Sequence, residues 1–136
     1  MEEFYPMPMF VNLKVADIER SIKWYQEALG FRQVFRNTGM VHLRRERFQD
    51  LLLFPSVERT SIEPGNGMVI QFQAGKSSVA EIAHRVRQQD SAKLEGPLEQ
   101  PWNVREVTIQ DPDGYRLRFS EPIDVSLQFD QVMGEN

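Results

Sequence analysis

There is no cysteine in the chain. That excludes disulfide staples, thiolate nucleophiles and thiolate metal ligands, and it suits a reducing compartment. Histidine is scarce as well: His42 and His84 are the only 2, so the commonest metal ligand and general base has few places to act. No apolar run reaches the length of a bilayer-crossing helix, and the opening Met1-Glu2-Glu3 lacks the basic start of a secretion signal. A cytoplasmic protein without membrane contact is expected. No basic run stands out, and 16 Lys and Arg stand against 20 Asp and Glu for a net charge of −4. Nucleic acid is therefore not an expected partner. What is there, 40% hydrophobic and 26% charged residues over 136 positions, is a globular composition sufficient for one ordinary domain.

The clearest local signal runs from Val107 to Phe119, where two alternating stretches flank Asp111-Pro112-Asp113-Gly114. Pro112 has the φ required early in a type I turn, and Gly114 can take positive φ. A three-residue loop ending in a left-handed glycine closes a hairpin with a bulge. That register pairs Ile109 with Leu117 and Val107 with Phe119 on an apolar face. It pairs Thr108 with Arg118 and Gln110 with Arg116 on a polar one. A shift by one residue would mix the faces, so hydrophobicity selects this closure.

Elsewhere the chain reads as one pattern used twice. Phe10 to Val15 alternates as a half-buried strand, with Val11, Leu13 and Val15 on one face and Phe10, Asn12 and Lys14 on the other. Asp17 opens a helix as N-cap or first-turn acid, Ile18, Ile22, Tyr25 and Leu29 form its stripe, and Gly30 ends it. Phe31–Phe35, Met40–Arg44 and Leu51–Phe54 read as strands. Ser56 to Gly67 is a polar connection containing Pro64-Gly65-Asn66-Gly67. Met68–Gln73 then restarts the alternation, Ser78 and Glu81 make a capping box, and Val79, Ile82 and Val86 form a second helical stripe. Strands follow near Lys93–Pro97, the weakest, and then at Val104–Gln110 and Tyr115–Ser120. Val125–Phe129 alternates and is expected to add a short edge strand.

The repeat, with Val15-Ala16-Asp17-Ile18-Glu19-Arg20-Ser21 leading to Trp24-Tyr25 and Leu29-Gly30-Phe31, and with Asp111-Pro112-Asp113-Gly114-Tyr115 in its second copy, resembles the vicinal oxygen chelate superfamily. This is the glyoxalase, bleomycin-resistance and extradiol-dioxygenase group, and the likeness spans roughly Met9 to Glu121. It implies an α+β fold of two tandem βαβββ modules forming a curved mixed sheet around a cleft, with helices on the convex side and a homodimer as the usual assembly. One domain over 1–136 is expected, with module 1 at about 8–56, a linker at about 57–67, module 2 at about 68–122 and a C-terminal extension at 123–136.

In metal-dependent relatives four inward side chains bind a divalent ion. Carried over by position, these fall on Phe10, on Leu52 or Phe54, near Gln71, and on Arg118. Hydrocarbon has no donor atom and a guanidinium repels a cation, so no metal and no other cofactor is expected. His42 and His84 read as packed or solvated. Trp24 lies off the main stripe and reads as surface or interface packing, a dimer contact by preference. The cleft that remains would have an apolar wall of Phe10, Leu52 and Phe54, with Trp102 able to cover it. Its polar wall would comprise Asn12, Gln71, Gln73, Glu106, Thr108 and Arg118. Each of these also has a plain structural reading, a Glu106–Arg118 ion pair or simple core packing. The functional expectation is a metal-independent binder of a partly aromatic or anionic small molecule. An enzyme of the lyase, isomerase or dioxygenase range and a non-catalytic partner module are the alternatives.

Overall fold

The computed structural model describes residues 7, 9–56, 68–90 and 92–127. Their elements run β1 (Val11–Val15), α1 (Ile18–Leu29), β2 (Arg32–Asn37), β3 (Met40–Arg44), β4 (Asp50–Pro55), β5 (Ile70–Gln73), α2 (Val79–Arg87), β6 (Lys93–Gln100), β7 (Val104–Gln110) and β8 (Arg116–Pro122). This is βαβββ twice, an α+β fold. The first four strands form a sheet of order β1-β4-β3-β2, and the second four repeat it as β5-β8-β7-β6. In each sheet the first strand lies parallel to the last, β1 to β4 and β5 to β8, and the other neighbours are antiparallel. The expected connection over 57–67 lies outside the described residues.

The chain divides into two compact units. One holds the described residues up to Ser56 together with Asp111–Tyr115; the other holds Met68–Gln110 and Arg116 onward. In the first, Leu13, Val15, Val41, Leu43, Leu51 and Leu53 are buried, as are Ile22, Tyr25, Ala28 and Leu29 of α1. In the second, Phe72, Val107, Ile109, Leu117 and Phe119 are buried with Val79, Ile82, Ala83 and Val86 of α2. Alternation along β1, β3, β4, β7 and β8 thus commits alternate apolar side chains to the core, whereas β2 and β6 bury none.

The helix ends follow the sequence closely. The Asp17 carboxylate accepts the Arg20 N–H at 3.1 Å, and Gly30 closes α1 at φ 76°. Ser78 and Glu81 cap α2 reciprocally. Trp24 departs from expectation: it is only 9% exposed and meets the Tyr25 ring edge-on, centroids 5.0 Å apart. The buried side of α1 is wider than a narrow stripe suggests, taking in Ser21 and Ala28 as well. The weak strand β6 is longer than expected, because its ladder with β7 resumes after a register shift between Glu95 and Leu98. Gly96 sits in that shift at φ 104°, where a Cβ would lie 2.8 Å from the Glu106 carbonyl oxygen. Over Val125–Leu127 no strand forms. Asp124 organises a turn there, its carboxylate accepting the N–H and the hydroxyl of Ser126. The rest of that expected strand lies outside the described residues.

The β7–β8 hairpin has the register that hydrophobicity selects, Ile109 to Leu117, Val107 to Phe119, Thr108 to Arg118 and Gln110 to Arg116. Gly114 takes φ 94°, and its N–H reaches the Asp111 carbonyl at 2.9 Å. The loop 111–115 itself belongs to the first unit, where it meets the junction of β1 and α1. Asp113 accepts the Ala16 N–H at 2.9 Å and the Ser21 hydroxyl at 3.3 Å, and the Tyr115 hydroxyl donates to the Lys14 carbonyl at 2.9 Å. Deepest is Asp111. Its Oδ1 accepts the N–H groups of Asp113 and Tyr115, and its Oδ2 accepts the Tyr25 hydroxyl at 2.6 Å.

Burial pushes the Asp111 carboxyl from its ordinary 3.8 up to about 6, although Tyr25 and the loop N–H groups pull it down. Burial, with the neighbouring carboxylate, also raises the Tyr25 phenol well above its usual value. Because the Asp111 carboxyl holds its proton more tightly folded than unfolded, its contribution to stability is present below its unfolded value. That contribution is lost as pH rises through about 6. In Asp111→Asn the amide oxygen can keep the two loop N–H groups and the amide nitrogen can face the phenol. We expect this variant to fold and to lose a fall in stability on the order of 3 kcal/mol between those limits, measured by urea denaturation at stepped pH. Tyr25→Phe strands a buried acceptor and should cost about 1 to 3 kcal/mol at neutral pH by the same measurement.

Candidate functional site

Each sheet has a second face, turned away from its core. On the first sheet, register places Asn12 beside Leu52, Leu52 beside His42 and His42 beside Phe35 in one row, with Lys14 beside Phe54 in the next. Leu52 and Phe54 are half-buried, while their neighbours Leu51 and Leu53 are fully covered. Phe10 precedes β1 and is 43% exposed. The apolar and amide residues expected from alternation thus share this face, except that Phe10 stands outside the ladder.

The same face carries a charged cluster that the sequence reading did not assemble. Asp50 opens β4, two residues before Leu52, so it reaches diagonally to His42 and directly across to Arg44. Its Oδ1 lies 2.7 Å from His42 Nε2 and accepts the Arg44 Nε–H at 2.8 Å. The Asp50 and Arg44 side chains are buried, and His42 is 13% exposed. The turn between β3 and β4 supports this geometry: Arg45 N–H bonds the Gln49 carbonyl, Gln49 N–H bonds the Glu46 carbonyl, and Phe48 takes φ 66°. Reading Asp50 as part of its strand, in phase with Leu52, would have placed it on the face of His42. His84, in contrast, is exposed on α2.

On the second sheet the outer rows are Gln71, Arg118, Thr108 and Glu95, then Gln73, Ser120, Glu106 and Leu98. Arg118 Nε donates to the Thr108 hydroxyl at 3.0 Å, and the Gln71 amide donates to the Ser120 hydroxyl at 3.1 Å. Glu106 accepts the Gln100 amide at 2.9 Å and lies 3.9 Å from Arg118 Nε, a long ion pair. The two terminal amines of Arg118 have no partner among the described residues, and the side chain is 34% exposed. A guanidinium whose terminal amines are open can pair with a carboxylate, phosphate or carbonyl oxygen. Trp102 belongs to neither row. It sits half-exposed in the tight turn 101–103 between β6 and β7.

The donor set does not fit a divalent ion. Among the described residues no group of three or more His, Asp or Glu could hold one. The internal repeat also gives the counterpart of Phe10. Leu13 pairs with Leu53 as Phe72 pairs with Phe119, so Phe10, three before Leu13, corresponds to Val69 rather than to Gln71. Both are hydrocarbon.

The fold and these faces define a class, and comparison confirms it. The family model for the Glyoxalase/Bleomycin resistance protein/Dioxygenase superfamily matches residues 9–119. The chain belongs to that superfamily. Solved structures of the same fold include a bleomycin resistance determinant encoded on the transposon Tn5, 21% identical, covering 84% of this chain and 96% of that one at a TM-score of 0.63. TnmS3, an antibiotic binding protein from Streptomyces sp. CB03234, is 20% identical and covers 90% and 98% at 0.61. An integron cassette protein from the mobile metagenome of the Halifax Harbour sewage outfall is 23% identical and covers 82% and 94% at 0.66. A comparison with curated proteins finds no match. Among the described residues no helix is long and apolar enough to cross a membrane.

The Asp50 cluster has a direct energetic consequence. Asp50→Ala would remove the buried carboxylate that meets both Arg44 and His42, a loss of about 3 to 5 kcal/mol. The expected result is a large drop in denaturation midpoint by urea titration, with Arg44→Leu/Asp50→Leu recovering much of it.

Proposed function

We propose that this chain is a small-molecule binding protein of the glyoxalase and bleomycin-resistance type that works without a metal ion. The faces of its two sheets turned away from the core are its binding surfaces. The first gives apolar contact through Phe10, Leu52 and Phe54 with an amide at Asn12. The second gives hydrogen bonding through Gln71, Gln73, Thr108, Glu106 and Arg118. The observation that carries the reading is Arg118. It offers open N–H donors beside Gln71 and Thr108, and the family resemblance implies that metal-dependent relatives carry a carboxylate at this position. The ligand class that follows is a partly aromatic molecule with an anionic or carbonyl oxygen. Two solved structures of this fold, described as a bleomycin resistance determinant and an antibiotic binding protein, support binding as the theme. The hydrocarbon at positions 10, 52 and 69 supports metal independence. We read the half-exposed Trp102 as a further aromatic contact for a ligand on the second sheet's side, the assembly as a homodimer and the setting as the cytoplasm.

A thermal-shift screen with aromatic natural products tests the reading. A ligand at about a hundred times its Kd should add about 2.7 kcal/mol of stability, and Arg118→Ala should weaken an anionic hit about tenfold or more. Elemental analysis of protein purified without chelator should find no stoichiometric zinc, iron, manganese or nickel. A bound ion in stoichiometric amount would favour an enzyme of the superfamily instead.

A further inference from the structure

We propose that His42, oriented by Asp50, is the hydrogen-bond acceptor for a ligand hydroxyl, and that the outer face of the first sheet takes a phenol. This deepens the binding reading above and rests on that face being a binding surface. The chemistry starts at Asp50 Oδ1, which receives the Arg44 Nε–H at 2.8 Å and meets His42 Nε2 at 2.7 Å. A carboxylate oxygen facing a guanidinium has only lone pairs to give, so Nε2 must carry the hydrogen of that contact. In the uncharged ring this leaves Nδ1 as an acceptor.

Nδ1 has no partner among the described residues, yet no buried side-chain nitrogen or oxygen among them is left unsatisfied. Nδ1 is therefore reached by solvent, and a ligand could reach it too. Arg44 and Asp50 are positioning residues. Each is buried, and together they hold the ring by one nitrogen so that the other is presented.

The flanking side chains select the ligand. Leu52 on β4 and Phe35 on β2 lie directly on either side of His42 in the ladder, and Phe35 is 51% exposed. An acceptor between two hydrocarbon groups suits an O–H donor carried on a flat apolar ring. An anionic oxygen would face the Nδ1 lone pair and be repelled. An aliphatic alcohol would leave Phe35 and Leu52 less covered than a ring does.

The test compares p-cresol with 4-methylanisole, two uncharged probes of nearly the same shape, of which only the first has an O–H. Protein-detected NMR titration of the full chain gives both affinities. The wild type should prefer p-cresol by about threefold to tenfold, the value of one neutral hydrogen bond. His42→Phe, which keeps the face apolar, should bind both probes equally. His42→Gln, which restores an acceptor oxygen, should recover part of the preference. Proton–nitrogen correlation spectra of the imidazole should place the ring hydrogen on Nε2 without any ligand.

A ring protonated on Nδ1, equal affinity of the wild type for both probes, or a preference that survives in His42→Phe would each overturn the proposal. If neither probe binds, phenol as ligand class is overturned. The natural-product screen and the Arg118→Ala comparison then decide the broader binding reading separately.

Discussion

One buried carboxylate organises the first half of this protein. Asp111 comes from a hairpin loop far along the sequence, yet its oxygens collect two N–H groups of that loop and the hydroxyl of Tyr25 on α1. The oxygen facing the loop fixes its shape, as in an Asx turn, and the other anchors the helix. Around it Asp113 and Tyr115 bind the backbone of Ala16 and Lys14. So the Ser21…Tyr25 stretch of the helix and the Asp-Pro-Asp-Gly loop, separate motifs in the sequence, meet in one contact. Three hydrogen bonds do not fully offset desolvation, which is why the carboxyl still titrates high.

The two sheets share topology and core pattern but not surface chemistry. The first module's outer face is hydrocarbon interrupted by a locked His42–Asp50–Arg44 cluster. The second module's outer face is a lattice of amide, hydroxyl and guanidinium groups joined by modest bonds. Core positions are restrained by packing, whereas outer positions alternate with them and tolerate change. One strand order used twice, with different residues at the alternate outer positions, gives two different surfaces.

Much of this was legible in the sequence because it is local. Alternation fixed the β7–β8 register, capping residues fixed the helix starts, and Gly30 and Gly114 marked places that need positive φ. Parity along each strand also set which face Leu52, Gln71, Thr108 and Arg118 occupy. What escaped depends on partners distant in sequence. Trp24 reads as an exposed flank until the wide buried side of α1 covers it. Strand β6 reads as a weak strand ending near Pro97, yet Leu98 to Gln100 find new partners beyond the shift. Asp50, charged and next to a turn, reads as loop until its pairing with Arg44 draws it into β4.

The docking of loop 111–115 bears on how the chain could be divided. Counted by repeats, the protein looks like two interchangeable halves that a break in the intervening segment would release. Counted by valence, it is not. A severed front half would keep the phenol of residue 25 and the amide of residue 16 but lose the oxygens that satisfy both, since these arrive from past residue 110. Such a fragment would be born with an open bond in its interior at the phenol and another at its surface at the amide, so a repeated topology does not by itself make the front half independent.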